Sequence, residues 1–464
     1  MRTLFFLQLL LITSIAFSQI ERQITLGQID EWEKQLKTAP DSKAKINAIS
    51  NNDLKSLSLN REQLANLDFY FKYKAEVVGI TDQKKSGRCW MFTGLNIIRH
   101  KVIKKLNVSS FEFSTNYLFF YDMLEKANLA LEIAIESAAK PLDDKTVEWL
   151  LKNPIGDGGV FTSLINLIEK YGVVPKEIMP ETYHSENTSQ LNNILSYKIR
   201  EDIIEIRNIS IQKQNPQAKM RERKNEMLGE IYKILTYHLG TPPKEFVWRY
   251  KTKDDKISEL KTYTPKSFLK DIVPDFDTKQ YVQIMNDPSR PYFKTYEIEY
   301  DRNTIEGMNW VYLNLPIEEV KKIALKSIKA NEVMYFSCDV GKQLNMDKGL
   351  LSTLNYDYSS LYGIPFNMDK KSRIQTFESG SSHGMALVGV DTDNNDKPLK
   401  WLVENSWGAS SGFNGYLVIT DDWFNEYMFR LAVKKEFLDT KTLDLFKLSP
   451  IKLPPWDPMF QQDE

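Results

Sequence analysis

The chain of 464 residues has only two cysteines and four histidines, too few for a disulfide-stapled scaffold or for a zinc module built on repeated Cys and His pairs. Neither sign of charge dominates, since 61 basic residues stand against 62 acidic ones. That balance removes the global electrostatic footprint of a protein that binds nucleic acid or anionic lipid. There is no glycine-rich phosphate loop, no metal-ligand cluster, no internal repeat and no low-complexity tract, so no cofactor and no metal are expected. Beyond the N-terminus no apolar run is long enough to span a bilayer. What remains is an ordinary globular composition, 42% hydrophobic and 27% charged, in a chain long enough for two or three packed units.

The N-terminus differs from the rest. "MRTLFFLQLLLITSIAFSQ" places Arg2 before an apolar run and small residues at Ala16 and Ser18, the layout of a secretory signal cut between Ser18 and Gln19. The expectation is therefore a signal at 1–18 and an exported protein, periplasmic or secreted, with no membrane association once the signal is removed.

The remaining chain divides by pattern. Residues 19–75 are polar with helical periodicity and read as an N-terminal arm packed on the next domain. Residues 76–185 are helical, residues 186–330 more charged and read as a helical insertion, and residues 331–449 alternate in the manner of strands. Residues 450–464 form a C-terminal arm. A cleft between a helical and a β half is a natural place for a site.

With cysteine so scarce, "ITDQKKSGRCWMFTGLNIIRH" draws attention to Cys89. Ser86 and Gly87 suit a helix entry, and Trp90, Phe92 and Leu95 follow at helical spacing. A thiol in a first turn meets the positive end of the helix dipole, which favours the thiolate. Cys338, in "VMYFSCDVG", reads instead as a small apolar filler in a buried strand. Sequence alone leaves a disulfide between the two open.

A thiolate needs an acid–base partner. His100 sits three turns along the same helix and cannot reach Cys89, while His184 and His238 read as surface residues. His383, in "GSSHGMALVGVD", enters a buried strand beside Gly384, which leaves room for close approach. The next apolar run, "WLVENSWG", presents Asn405. Two antiparallel strands would bring its amide beside His383 to orient the ring, and Trp407 can cover that hydrogen bond. Gln83, in the approach loop, can offer its amide to an oxyanion together with the Cys89 N–H.

These residues carry a resemblance. Gln83 before S-G-R-C-W, then S-S-H-G, then E-N-S-W-G resemble the catalytic elements of papain-like cysteine peptidases. Two features depart from that pattern. Ser86 replaces the first cysteine of the usual C-G-S-C-W, and Cys89 lies roughly 290 positions before His383 instead of the roughly 130–150 of papain-like chains. Both departures fit the bleomycin hydrolase and aminopeptidase C family. The chain resembles it from Leu67 to Met459, including "DGGVFTSLINLIEKYGVVPKEIMPET", "LGTPPKEFVWRYKTKD", "FSCDVGKQLNMDKG" and "LPPWDPM".

The resemblance implies an α+β, papain-like two-lobed fold, a helical lobe with Cys89 and a β-barrel-like lobe with His383 and Asn405, plus the helical insertion. It implies a homohexameric ring, peptide substrates with a free N-terminus, and a C-terminal arm in the cleft that limits cleavage to the N-terminal end. Gly158 and Gly159 match the glycine pair that binds substrate backbone, and Glu464, with Asp463 and the terminal carboxylate, would meet the substrate amine. The expected function is a thiol-dependent aminopeptidase. The alternatives are a papain-type endopeptidase, a transferase of transglutaminase type, or a catalytically idle peptide-binding ring.

Overall fold

The computed structural model describes residues 22–65, 68–212, 215–274 and 277–459, and the chain forms two compact units. The expected signal at 1–18 lies outside the described residues. One unit holds the residues through Ala65 together with Tyr356–Phe366. Its helix Leu26–Thr38 begins with a capping box. The Thr25 hydroxyl accepts from the Gln28 N–H at 3.3 Å, and the Gln28 side chain accepts from the Thr25 N–H at 2.9 Å.

The other unit is built on a mixed sheet of 12 strands among the described residues. In chain order the strands are β1 (Tyr73–Lys74), a separate hairpin of β2 (Phe246–Trp248) with β3 (Lys261–Tyr263), then β4 (Tyr281–Met285), β5 (Lys294–Ile298) and β6 (Val311–Asn314). They continue with β7 (Met334–Cys338), β8 (Leu344–Asn345), β9 (Leu350–Leu351), β10 (His383–Thr392), β11 (Pro398–Glu404), β12 (Tyr416–Thr420), β13 (Met428–Lys434) and β14 (Ile451–Leu453). The order across the sheet is β14-β5-β6-β4-β13-β7-β10-β11-β12-β9-β8, with β1 on β10. β10 is central, antiparallel to both β7 and β11. Its run HGMALVGVDT is buried at all but one position, as a strand covered on both faces requires.

Helices cover this sheet. Cys89–Leu106 packs on β10 and on Phe161–Tyr171, while Thr115–Glu136 packs on Ser189–Ser210 and Pro216–Leu239. The α+β class expected from the sequence is the one adopted. An apolar core that includes Phe336, Met385, Trp401, Trp423 and Phe424 lies around β7, β10 and β11, and a second, around Trp310, Tyr312 and Phe429, contains Met459. Burying side chains of this size is worth about 1.5–3 kcal/mol each before entropy is counted, which makes these clusters the main support of the sheet.

Three expectations need correction. The stretch 186–330 is helical only in part: 281–285, 294–298 and 311–314 are strands of the main sheet. Their shortness and the prolines between them hide them in the sequence, and β4 finds its partner in β13, far along the chain. The arm 19–75 also divides, because Tyr73–Lys74 pairs with β10 as part of the sheet. Finally, His184 and His238 are half-buried, with their rings edge to face at 4.2 Å. They pack on each other where the sequence suggested two separate surface side chains.

Candidate active site

Cys89 is the first residue of the helix Cys89–Leu106 and is completely buried. The N–H groups of a first helical turn have no intrahelical acceptor, so they favour an anion at this position. A further donor comes from the sheet, as the N–H of Gly384 points at Cys89 Sγ from 3.3 Å. The helix can approach β10 this closely because Gly384 has no side chain. A Cβ there would stand 2.8 Å from the Tyr335 hydroxyl and 3.5 Å from Trp90 Cα. Thr93, one turn on, donates its hydroxyl to the Gly384 carbonyl at 2.9 Å and fixes the same contact from the other side.

His383 precedes Gly384, begins β10 and is 1% exposed. Its Nε2 lies 2.9 Å from Asn405 Oδ1. That oxygen already accepts the Ser406 N–H at 2.8 Å, so the atom facing the ring is an acceptor and Nε2 carries the proton. The tautomer assigned by this network leaves Nδ1 as the nitrogen that can take up a proton. Trp407 lies against the imidazole with ring centres 4.6 Å apart and the planes tilted by 31°.

Gln83 is 4% exposed and held at both ends of its amide. Oε1 accepts from the Ser406 hydroxyl at 2.7 Å, and Nε2 donates to the Ser86 carbonyl at 2.7 Å. One amide N–H is thereby engaged, and an NH₂ group has a second. Its backbone N–H also donates to the Ser406 carbonyl at 2.8 Å. The approach loop to Cys89 and the segment following Asn405 are thus tied together.

The loop entering the helix is anchored by Arg88, which is completely buried. Its guanidinium meets Glu181 at 2.9 Å and Ser86 Oγ at 3.1 Å, between the rings of Phe92 and Phe119. Burial pushes the Glu181 carboxyl up, but the Arg88 charge and hydroxyl donors outweigh it and hold the group below the usual range. A second buried pair, Arg99 with Glu404 at 2.8 Å, joins the Cys89 helix to the residue before Asn405. Burial pushes that carboxyl up to about 7 against the pull of Arg99. Sequence reasoning singled out neither pair, and the only signal was a charge beside each candidate motif.

Trp90 is also fully buried and donates its indole N–H to the Asp157 carbonyl at 2.8 Å. Gly159 packs against it so closely that a Cβ would stand 2.5 Å from the ring, which explains the glycine. The Gly158 carbonyl accepts from Lys126 Nζ at 2.5 Å, so the protein itself occupies one polar group of the expected substrate-binding pair. Glu464 lies outside the described residues.

Beside these groups is a cleft of about 680 Å³ whose walls include Gly156, Ser381, Ser382, Trp149 and Tyr300. Pro455–Pro458 line it too, and the chain there is fastened by Arg290 on Asp457 and by Arg430 on the Met459 carbonyl, each at 3.1 Å. Neither cysteine forms a disulfide. Among the described residues no group of three or more His, Cys, Asp and Glu side chains could hold a metal ion, and no helix is long and apolar enough to cross a membrane.

The chain is similar to aminopeptidase C of Lactobacillus delbrueckii subsp. lactis, 36% identical over 445 residues that cover 95% of this chain and 98% of the relative. It is 37% identical to human bleomycin hydrolase over 437 residues, 92% of this chain and 96% of that one. The crystal structure of PepW from Lactobacillus rhamnosis superposes with a TM-score of 0.92 at 36% identity, covering 95% of this chain and 99% of that one. The model of the peptidase C1-like family matches residues 23–460, and the chain belongs to that family.

Proposed function

We propose that the protein is a thiol-dependent aminopeptidase in which Cys89 is the nucleophile, His383 the acid–base, Asn405 the group that orients His383, and Gln83 an oxyanion donor. The observation that carries this reading is the convergence at the start of β10. There the Gly384 N–H meets Cys89 Sγ, and the preceding residue, His383, is held through Nε2 by Asn405.

The thiol gives its proton to His383, and Cys89 Sγ adds to the carbonyl of the scissile bond. Negative charge on the carbonyl oxygen is met by the second Gln83 amide N–H and the Cys89 backbone N–H. Collapse transfers the imidazolium proton to the leaving amine and leaves a thioester, which water hydrolyses with His383 as base.

Restriction to free N-termini is assigned to the C-terminal arm. Pro455–Pro458 form part of the cleft wall, and the described chain ends at Met459, which is buried. Asp463 and Glu464 follow it in the sequence, and their carboxylates suit a substrate ammonium group. Export through a signal at 1–18 and assembly into a hexamer belong to the same proposal, supported by the N-terminal sequence and the family resemblance. Mass spectrometry of the mature N-terminus and analytical ultracentrifugation test them.

The direct test compares two fluorogenic peptides, one with a free amine and one acetylated, with wild type and with a chain ending at Met459. Wild type is expected to cleave only the free amine, and the truncated chain to accept both. Equal cleavage of both by wild type would establish an endopeptidase.

A further inference from the structure

Lys126 lies on the helix Thr115–Glu136, is 8% exposed, and borders the cleft. Its ammonium has three N–H groups and three partners at hydrogen-bonding distance. They are Asp122 Oδ2 at 2.6 Å, the Gly156 carbonyl at 2.9 Å and the Gly158 carbonyl at 2.5 Å. Asp122 alone would satisfy a helical ion pair of this spacing. The two carbonyls belong to a different segment, so the lysine has a task beyond the helix.

The residue between them is held as well. The Asp157 carbonyl accepts from Trp90, and its Oδ2 accepts from the Gly87 N–H at 2.7 Å and from the Thr188 hydroxyl at 2.5 Å. Three successive carbonyls, 156 to 158, are therefore turned toward protein donors. In a trans peptide the N–H points opposite the preceding C=O. The N–H groups of Gly158 and Gly159 are consequently directed away from Trp90 and Lys126 respectively. Asp122, fully buried and pushed up by burial against the pull of Lys126, is in turn fixed by Asn303 at 2.9 Å.

We propose that Lys126, compensated by Asp122, is a positioning residue for substrate binding: it holds the carbonyl of Gly158, and with it the peptide plane that carries the Gly159 N–H, so that this N–H is aligned for the main chain of an extended peptide. This rests on the peptidase reading for the identity of the ligand. The lysine touches no reacting atom, and its effect falls on binding. An uncharged peptide backbone is the recognised group, so the effect is the same for every side-chain sequence.

The test measures the Kd of a free-amine tripeptide for the Cys89→Ala protein, with and without the paired change Lys126→Met and Asp122→Asn, which removes both charges together. Kd is expected to rise about tenfold. In the Cys89-containing enzyme KM rises by the same factor while kcat stays within about twofold, and iodoacetamide alkylates Cys89 at the wild-type rate. Lys126→Arg keeps Asp122 compensated but cannot place one compact ammonium among three partners, so it too weakens binding, with the melting temperature unchanged.

An unchanged Kd in a folded paired variant would overturn the proposal. Slower alkylation in step with weaker binding would also overturn it, by showing that the pair supports the nucleophile's helix through Trp90. If wild type binds the tripeptide yet cleaves nothing, the peptidase reading fails, while the Kd comparison still judges Lys126.

Discussion

Cys89 and Cys338 lie at two sides of the same strand end. Both are completely buried, and neither forms a disulfide. Cys338 ends β7 and pairs in register with His383 across the ladder, whereas Cys89 meets the next residue, Gly384, from the helix above. Their surroundings differ. Cys338 belongs to the apolar core with Phe336, Met385 and Met428, an environment that disfavours a thiolate. Cys89 has a helix start behind it and a backbone N–H directed at its sulfur. Burial is common to both thiols, and the reactive role proposed for Cys89 rests on the helix start and the Gly384 N–H at its sulfur.

The sharpest way to break that comparison is to delete each thiol. Cys89→Ala is expected to lower kcat by about 10⁴-fold or more. Cys338→Ala should leave kcat near wild type and cost about 0.5–1.5 kcal/mol in denaturant unfolding, the range for losing one methyl-sized buried group. Equal losses of activity would place both thiols in the chemistry.

Next in size, Gln83→Ala is expected to reduce kcat by about 10²- to 10³-fold with the fold intact by circular dichroism, whereas wild-type turnover would remove Gln83 from the oxyanion site. A smaller effect sits further along the Cys89 helix. His100 Nδ1 lies 3.2 Å from the Asn96 carbonyl, and burial holds this imidazole down at about 4 from its ordinary 6.5. The unfolded chain then binds a proton in the window where the folded one does not, so His100 erodes stability as pH falls from 6.5 to about 4. His100→Asn should flatten that part of the curve of melting temperature against pH. An unaltered slope would assign the acid sensitivity to other groups.

The four residues proposed for the reaction centre stand out in the sequence because each is marked locally. Cys89 begins an apolar helical pattern, His383 and Asn405 stand at the ends of consecutive strands, and Gln83 lies in the short approach to Cys89. Lys126 was not legible. In "YDMLEKAN" it forms an ordinary i,i+4 pair with Asp122, and only the fold brings the segment 156–158 against it. Asp157 was hidden for the same reason, since its partners Gly87 and Thr188 are distant in sequence. Strands β4 to β6 look like joints of a helical insertion because nothing local announces that β13 will pair with β4.

The central claim is that the oriented donors around Cys89 make it the reactive thiol. Treatment of the folded protein with limiting iodoacetamide, followed by peptide mapping and residual aminopeptidase activity, tests it directly. The account expects activity to fall in proportion to carboxamidomethylation of Cys89 while Cys338 stays unmodified. Full activity with Cys89 alkylated, or loss that tracks Cys338, would contradict it.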